Sequence, residues 1–116
     1  MNSKSRTTCL ATRARTATGR VLVVDDHAQA RESMADILRR ADHQADCVSS
    51  AVEGLAALAK ESYDLVITDL QMPGMTGLDF IRQLQQRKHG AQVLMVTAYA
   101  TVASAVEAMR YGAFDY

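Results

Sequence analysis

At 116 residues, with 48% apolar and 22% charged side chains, the chain has the length and make-up of one soluble globular domain. Formal net charge is zero, yet residues 1–20 hold five basic groups and no acid, which leaves eight basic and thirteen acidic groups in 21–116. That acidic body has no basic face for nucleic acid, and no apolar run reaches the roughly 18–20 residues of a membrane span. The start lacks the apolar stretch of a signal peptide, and Cys9 and Cys47 show neither metal nor redox spacing, so a reducing cytoplasmic location is expected.

Residues 1–19 are rich in Ser, Thr, Ala and Arg and have almost no large apolar side chain, so they are expected to form a disordered basic leader. A folded domain is expected over 20–116. Val21-Leu22-Val23-Val24 is a continuous β-branched-rich run, as expected of a strand buried on both faces. Ala30, Met34, Ile37, Leu38 and Ala41 recur at helical spacing, with Asp26 or His27 near the helix start. Ala45, Cys47 and Val48 suggest a short second strand. Ser50 and Glu53 have capping-box spacing before Leu55, Leu58 and Ala59. Strand Leu65–Thr68, loop Asp69–Gly77 and a helix carrying Leu78, Ile81 and Leu84 follow. Val93–Val96 reads as a fourth strand. Val102, Ala105, Val106 and Met109 line a last helix as an expected core stripe, with Gly112 as its stop. Phe114-Asp115-Tyr116 reads as the start of a further strand.

Alternation of this kind specifies an α/β fold, a parallel sheet with helices on both faces. In such a sheet, ligands sit beyond the carboxyl ends of the strands where strand order reverses. Asp25 and Asp26 end the first predicted strand, Asp69 ends the third and Thr97 the fourth, so all four converge on one edge. Three carboxylates at one place either take up protons or hold a hard cation, and an all-oxygen site with room for water suits Mg²⁺. Singly, each residue has a plainer reading. An Asp-Asp pair before a helix is commonly a capping device, a strand-terminal Asp a loop residue, and a Thr a strand residue bonding nearby backbone. The spacing supplies the specificity: 43 residues from Asp26 to Asp69 and 28 from Asp69 to Thr97.

Four stretches resemble the receiver domains of two-component response regulators. They are Val21–Asp26, Tyr63–Gly77 (which contains Thr68-Asp69-Leu70-Gln71-Met72-Pro73-Gly74), Val96-Thr97-Ala98-Tyr99 and Gly112–Tyr116. The run Thr97–Val102 through Ala105–Met109 resembles receivers of sigma-54-dependent activators of the nitrogen-regulation type. The resemblance implies a flavodoxin-like doubly wound sheet of order 2-1-3-4-5. It implies that Asp69 accepts a phosphoryl group from the phosphohistidine of a partner sensor histidine kinase. Asp26 would bind Mg²⁺ directly, Asp25 partly through water, and the Gln71 backbone carbonyl would be a further ligand. Thr97 would bond the phosphoryl oxygen, and Tyr116 would be the aromatic that changes rotamer with it. Met72 and Pro73 would shape the loop, with Gly74 and Gly77 supplying turn freedom.

The resemblance also places a lysine just past Tyr116, so the fifth strand is expected to be incomplete and the fifth helix absent. A bare edge at the fourth strand, or the last helix, would then be available for homodimer formation. The expected function is a phosphoacceptor signalling domain, not an enzyme beyond its own phosphoryl transfer and dephosphorylation. The alternative is a protein-interaction module that has kept the shape and lost the switch. A haloacid-dehalogenase-type phosphohydrolase is disfavoured because Asp69-Leu70-Gln71 lacks the second acid of Asp-x-Asp. His27, His43 and His89 lie on separate segments and are not read as a metal set. His27 is read as a polar residue at a helix start, Cys47 as a small core residue, and Gly54 has no evident function.

Overall fold

The computed structural model describes residues 19–87, 90–97, 102–111 and 113, except for the side chains of Val102 and Ser104. The leader up to residue 18, His89, Gly112 and the expected strand at 114–116 with Tyr116 lie outside the described residues. Eight elements alternate: β1 (Arg20–Val24), α1 (Ala28–Arg40), β2 (Gln44–Val48), α2 (Ala51–Lys60), β3 (Leu65–Thr68), α3 (Gly77–Arg87), β4 (Gln92–Met95) and α4 (Val102–Arg110). The four strands form one parallel sheet in the order β2-β1-β3-β4, so strand order reverses between β1 and β3.

Two-residue periodicity divides the core between the faces of the sheet. Val21, Val23 and Ile67 point to one face, where Met34 and Leu38 of α1 pack on them. Leu22, Val24, Val66, Val93 and Met95 point to the other and meet Phe80, Ile81 and Leu84 of α3, with Ala108 and Ala113 in the same cluster. Side chains buried on both faces explain why β1 reads as an unbroken apolar run.

Two helical faces differ from expectation. On α1, Ala30, Ile37 and Ala41 are exposed, Ile37 by 65%, while Ala35 is buried. The face that meets the sheet is the arc of Arg31, Met34, Ala35 and Leu38, roughly 60° round the helix from the expected stripe. Ala35, at one edge of that arc, is the residue of α1 that is fully buried. On α4, Val106 and Met109 of the expected core stripe are exposed, Ala105 is half-buried, and Ala108, outside that stripe, is fully buried. Ala59 of α2 is exposed as well. The fourth strand ends at Met95, one residue before its expected end, and Val96 is exposed.

Ser50 caps α2 as its spacing predicts, accepting the Glu53 N–H at 3.1 Å. The return bond is displaced by one residue: the Glu53 carboxylate accepts from the N–H and hydroxyl of Ser49, at 2.8 and 2.9 Å. Those bonds hold the Glu53 carboxyl below the usual carboxylate range. At the amino end of the sheet, the Arg20 guanidinium pairs with Asp46 and Glu61 and lies 5.0 Å over the Tyr63 ring. The Tyr63 hydroxyl donates to Asp46 at 2.7 Å. Gly19 continues this end, its N–H donating to His43 Nδ1 at 3.0 Å and its carbonyl accepting from Gln44.

Gly54 has a steric role. A Cβ there would stand 2.9 Å from Cζ of Phe80 and 3.2 Å from Cγ2 of Val24, both fully buried side chains that cannot swing away. Gly54→Ala gains about 1 kcal/mol in helix propensity and loses about 1–3 kcal/mol to overpacking. The expected result is a melting temperature lowered by several degrees, on the scale of about 4–8 °C per kcal/mol for a domain of this size. A raised melting temperature would show that Phe80 yields.

Burial, then the bond to Asp46, pushes the Tyr63 hydroxyl up to about 12, while that bond and then Arg20 hold the Asp46 carboxyl low. Tyr63 therefore contributes stability that is present below pH 10 and is lost as pH rises toward 12. Asp46 contributes stability that is lost as pH falls through its depressed value. Urea midpoints of the wild type measured upward from pH 9 should fall faster than those of Tyr63→Phe. The difference in slope should approach at most about 1.4 kcal/mol per pH unit; parallel profiles would contradict it.

Candidate functional site

The register of the sheet sets the site. Val24, Thr68 and Met95 are level with one another, and Val24 is level with Val48. Each ladder continues one step past its strand: Asp25 N–H bonds Val48 O at 3.2 Å, Asp69 N–H bonds Val24 O at 3.3 Å, and Val96 N–H bonds Thr68 O at 2.9 Å. The backbones of Asp25 and Asp69 are thus fixed by sheet hydrogen bonds although both lie outside the strands. Thr97, half-buried, follows Val96 at the same carboxyl edge.

Beyond the strand ends, carboxylate oxygens of Asp25, Asp26 and Asp69 and a ring nitrogen of His27 all lie within 4.8 Å of one another. Sequence reasoning brought the three acids together and set His27 aside. The signal for His27 is its position, directly after the Asp pair. The Asp25 side chain accepts the His27 N–H at 2.9 Å, an Asx-type turn, and this folds the His27 ring back over the acids. Nδ1 of His27 then stands 3.3 Å from Asp25 Oδ1 and 3.2 Å from Asp26 Oδ1. The plainer reading of the Asp pair as a helix cap therefore holds in part for Asp25, whose bond goes to the N-cap residue. The N-cap itself, His27, makes no capping bond with its side chain. Arg31, also not foreseen, donates to the Asp25 backbone carbonyl at 2.8 Å and ties the start of α1 to the end of β1.

Among the described residues, the buried Asp26 Oδ1 has no hydrogen-bond partner, the nearby imidazole being in contact without bonding geometry, while the Asp26 side chain as a whole is 25% exposed. A buried, charged oxygen with no partner costs several kcal/mol unless something cationic reaches it. Asp69 is half-buried, and among the described residues its Oδ1 accepts a long 3.4 Å bond from Gln71 N–H. Two unit charges 4.8 Å apart, the widest spacing in the set, repel by about 3.5 kcal/mol at an effective dielectric near 20. The donor set (three carboxylates, one orphaned oxygen, one imidazole) fits a divalent cation, and Asp25, Asp26 and Asp69 fit Mg²⁺ by their oxygen chemistry.

The loop after Asp69 is packed closely. Leu70 and Met72 are buried, Gly77 N–H bonds Leu70 O at 2.9 Å, and Thr76 Oγ1 accepts the Asp79 N–H at 3.2 Å to cap α3. Gly74 turns with φ 78°, the freedom expected of it. Gly77 serves differently from expectation. It is helical, and a Cβ there would collide with the Asp69 carbonyl oxygen, so its requirement is close approach of two backbones. The Thr68 hydroxyl donates to that same carbonyl at 3.1 Å. Gln71 is exposed beside Asp69.

The family profile described as the response regulator receiver domain matches residues 21–116. Among curated proteins, the chain is 43% identical over 97 residues to the response regulator protein FleR of Pseudomonas aeruginosa, covering 84% of this chain and 20% of FleR. It is 38% identical over 98 residues to the DNA-binding transcriptional regulator NtrC of Salmonella typhimurium, covering 84% of this chain and 21% of NtrC. The chain thus spans about a fifth of the length of these relatives. Among solved structures, the response regulator TrrA of Thermotoga maritima in complex with Mg(2+)-BeF superposes with a TM-score of 0.76 at 32% identity, over 84% of this chain and 83% of that one.

Relief of charge repulsion gives a direct test of this geometry. In buffer stripped of divalent ions, Asp26→Asn removes one of three clustered charges and the orphaned anionic oxygen. Its urea midpoint should rise by the equivalent of about 1–3 kcal/mol, the scale of a buried polar group left unsatisfied. An unchanged or lower midpoint would mean that the cluster is already neutralised.

Proposed function

The chain belongs to the response regulator receiver domain family, and on that premise we propose that Asp69 is its phosphoacceptor, served by a sensor histidine kinase and a Mg²⁺ ion. The observation that carries this reading is the convergence of Asp25, Asp26 and Asp69 within 4.8 Å at the strand ends, with one Asp26 oxygen buried and unbonded. The proposed receiver runs over residues 20–116, a span supported by the family match at 21–116.

In the proposed reaction, a carboxylate oxygen of Asp69 forms a bond to phosphorus as the P–N bond of a phosphohistidine breaks. The donor imidazole keeps the bonding pair and leaves. Such transfers need in-line positioning and neutralisation of oxygen charge. Positioning falls to the backbone of Asp69, held by Val24 O and by its packing against Gly77. Asp26 and Asp25, with the Gln71 backbone carbonyl as a further ligand, would hold Mg²⁺, which supplies the charge neutralisation. The Thr97 hydroxyl would bond the phosphoryl oxygen after transfer, with Tyr116 as the aromatic that responds to it. The product is an acyl phosphate, a high-energy form that water can later hydrolyse.

Incubation with Mg²⁺ and acetyl phosphate, followed by intact-mass measurement, tests the assignment. The wild type should gain one phosphoryl group, and Asp69→Ala should gain none. Thr97→Ala should still gain it, while losing a bond to a charged group worth about 1.5–3 kcal/mol in the modified state. A wild type that binds Mg²⁺ and gains no adduct would be an interaction module instead.

A further inference from the structure

We infer that His27 gives the acidic site a second cation specificity: its imidazole nitrogen joins Asp25, Asp26 and Asp69 as a fourth donor for a transition-metal dication such as Zn²⁺ or Ni²⁺. This rests on the proposed function, since it uses the same carboxylates, and adds a residue that the Mg²⁺ reading does not need.

Distance is the first ground. Donors at about 2.0–2.1 Å from a tetrahedral ion are about 3.3–3.4 Å apart. Nδ1 of His27 stands 3.3 Å from Asp25 Oδ1, within hydrogen-bonding reach, and 3.2 Å from Asp26 Oδ1, so the two separations that involve this nitrogen and the Asp pair already have that value. The remaining separations draw in from no more than 4.8 Å, and Asp69 is half-buried, with one long bond on its Oδ1.

Accessibility and fixation are the second ground. The His27 side chain is 68% exposed, so the ring can turn to present a nitrogen, whereas its backbone is pinned by the bond from its N–H to Asp25. Asp26 Oδ1 meanwhile has, among the described residues, no hydrogen bond to lose when a cation arrives.

Chemistry then decides which cation gains. Mg²⁺ is hard, prefers oxygen and keeps several waters, so a water can stand where the imidazole would. Imidazole suits zinc and nickel, and affinity rises from manganese toward copper for a mixed nitrogen and oxygen set. A site of carboxylates alone would discriminate less strongly against Mg²⁺. His43 is not part of this set, its Nδ1 being occupied at the other end of β1 by the Gly19 N–H.

Titration of the full chain with Zn²⁺ and with Mg²⁺ separately, by calorimetry, tests the inference, with ¹⁵N spectra of the histidine side chains as a second readout. His27→Ala should lower Zn²⁺ affinity at least about tenfold, the scale on which even outer-shell partners of a metal act, and leave Mg²⁺ affinity unchanged. Zn²⁺ should shift a ring nitrogen of His27 in the wild type and not in Asp26→Asn. If His27→Ala weakens both ions equally, or neither, the ring is only a hydrogen-bond partner of the acids and the inference is wrong. The two readings fail separately: Mg²⁺-dependent modification of Asp69 with Zn²⁺ binding indifferent to His27 overturns this inference alone. A chain that binds neither ion loses both.

Discussion

Parallel register is the constraint on which the rest of this structure depends. Val24, Thr68 and Met95 lie level, and one further ladder bond fixes the next backbone in each case. A slip of one residue in β3 would turn Val66 and Thr68 to the face of α1 and carry the Asp69 side chain to the opposite face. The apolar pattern resists such a slip, because Val66 is wholly buried under α3 and Ile67 under α1. The position of the Asp69 carboxylate is therefore set by hydrophobic burial several residues away.

Close packing carries that constraint into the loops. Gly77 lets the start of α3 lie on the Asp69 carbonyl, and Gly54 lets α2 lie on Phe80 and Val24. Neither glycine bends the chain. Both are places where one Cβ would force apart layers that must touch, and interiors packed to crystal-like density have little room to relax. Rigidity at the Asp69 backbone follows from these contacts together with the Thr68 hydroxyl bond.

Strand positions and the three acids were legible in the sequence because β-branched runs ending in Asp carry their own register. Helical faces were less legible. Ile37 belongs to a plausible stripe, yet it is exposed, and the covered arc of α1 runs from Met34 through Leu38 and Arg31 to Ala35. On α4 likewise, Val106 and Met109 are exposed and Ala108 is the buried residue. Periodicity announces that an apolar stripe exists; its rotation is decided by the partner surface. The role of Gly54 depends on Phe80, 26 positions away, which a sequence does not disclose. His27 was set aside because a polar residue at a helix start has an ordinary explanation, and only the Asx-type turn at Asp25 brings its ring over the acids.

The two ends of the sheet handle negative charge in opposite ways. At the amino end, Asp46 and Glu61 are paired with Arg20, and Tyr63 completes the hydrogen bonds. At the carboxyl end, among the described residues, no Arg or Lys pairs with Asp25, Asp26 or Asp69. Arg31 comes close, but it bonds the Asp25 backbone carbonyl and not a carboxylate. Among the described residues, acids that only support the fold are thus paired with a guanidinium, while those at the strand ends have only the His27 imidazole beside them. Uncompensated charge held by a rigid backbone is costly to the isolated domain. It also lets a cation bring a large differential interaction energy to this site, and differential interaction is what a ligand needs in order to shift a conformational equilibrium.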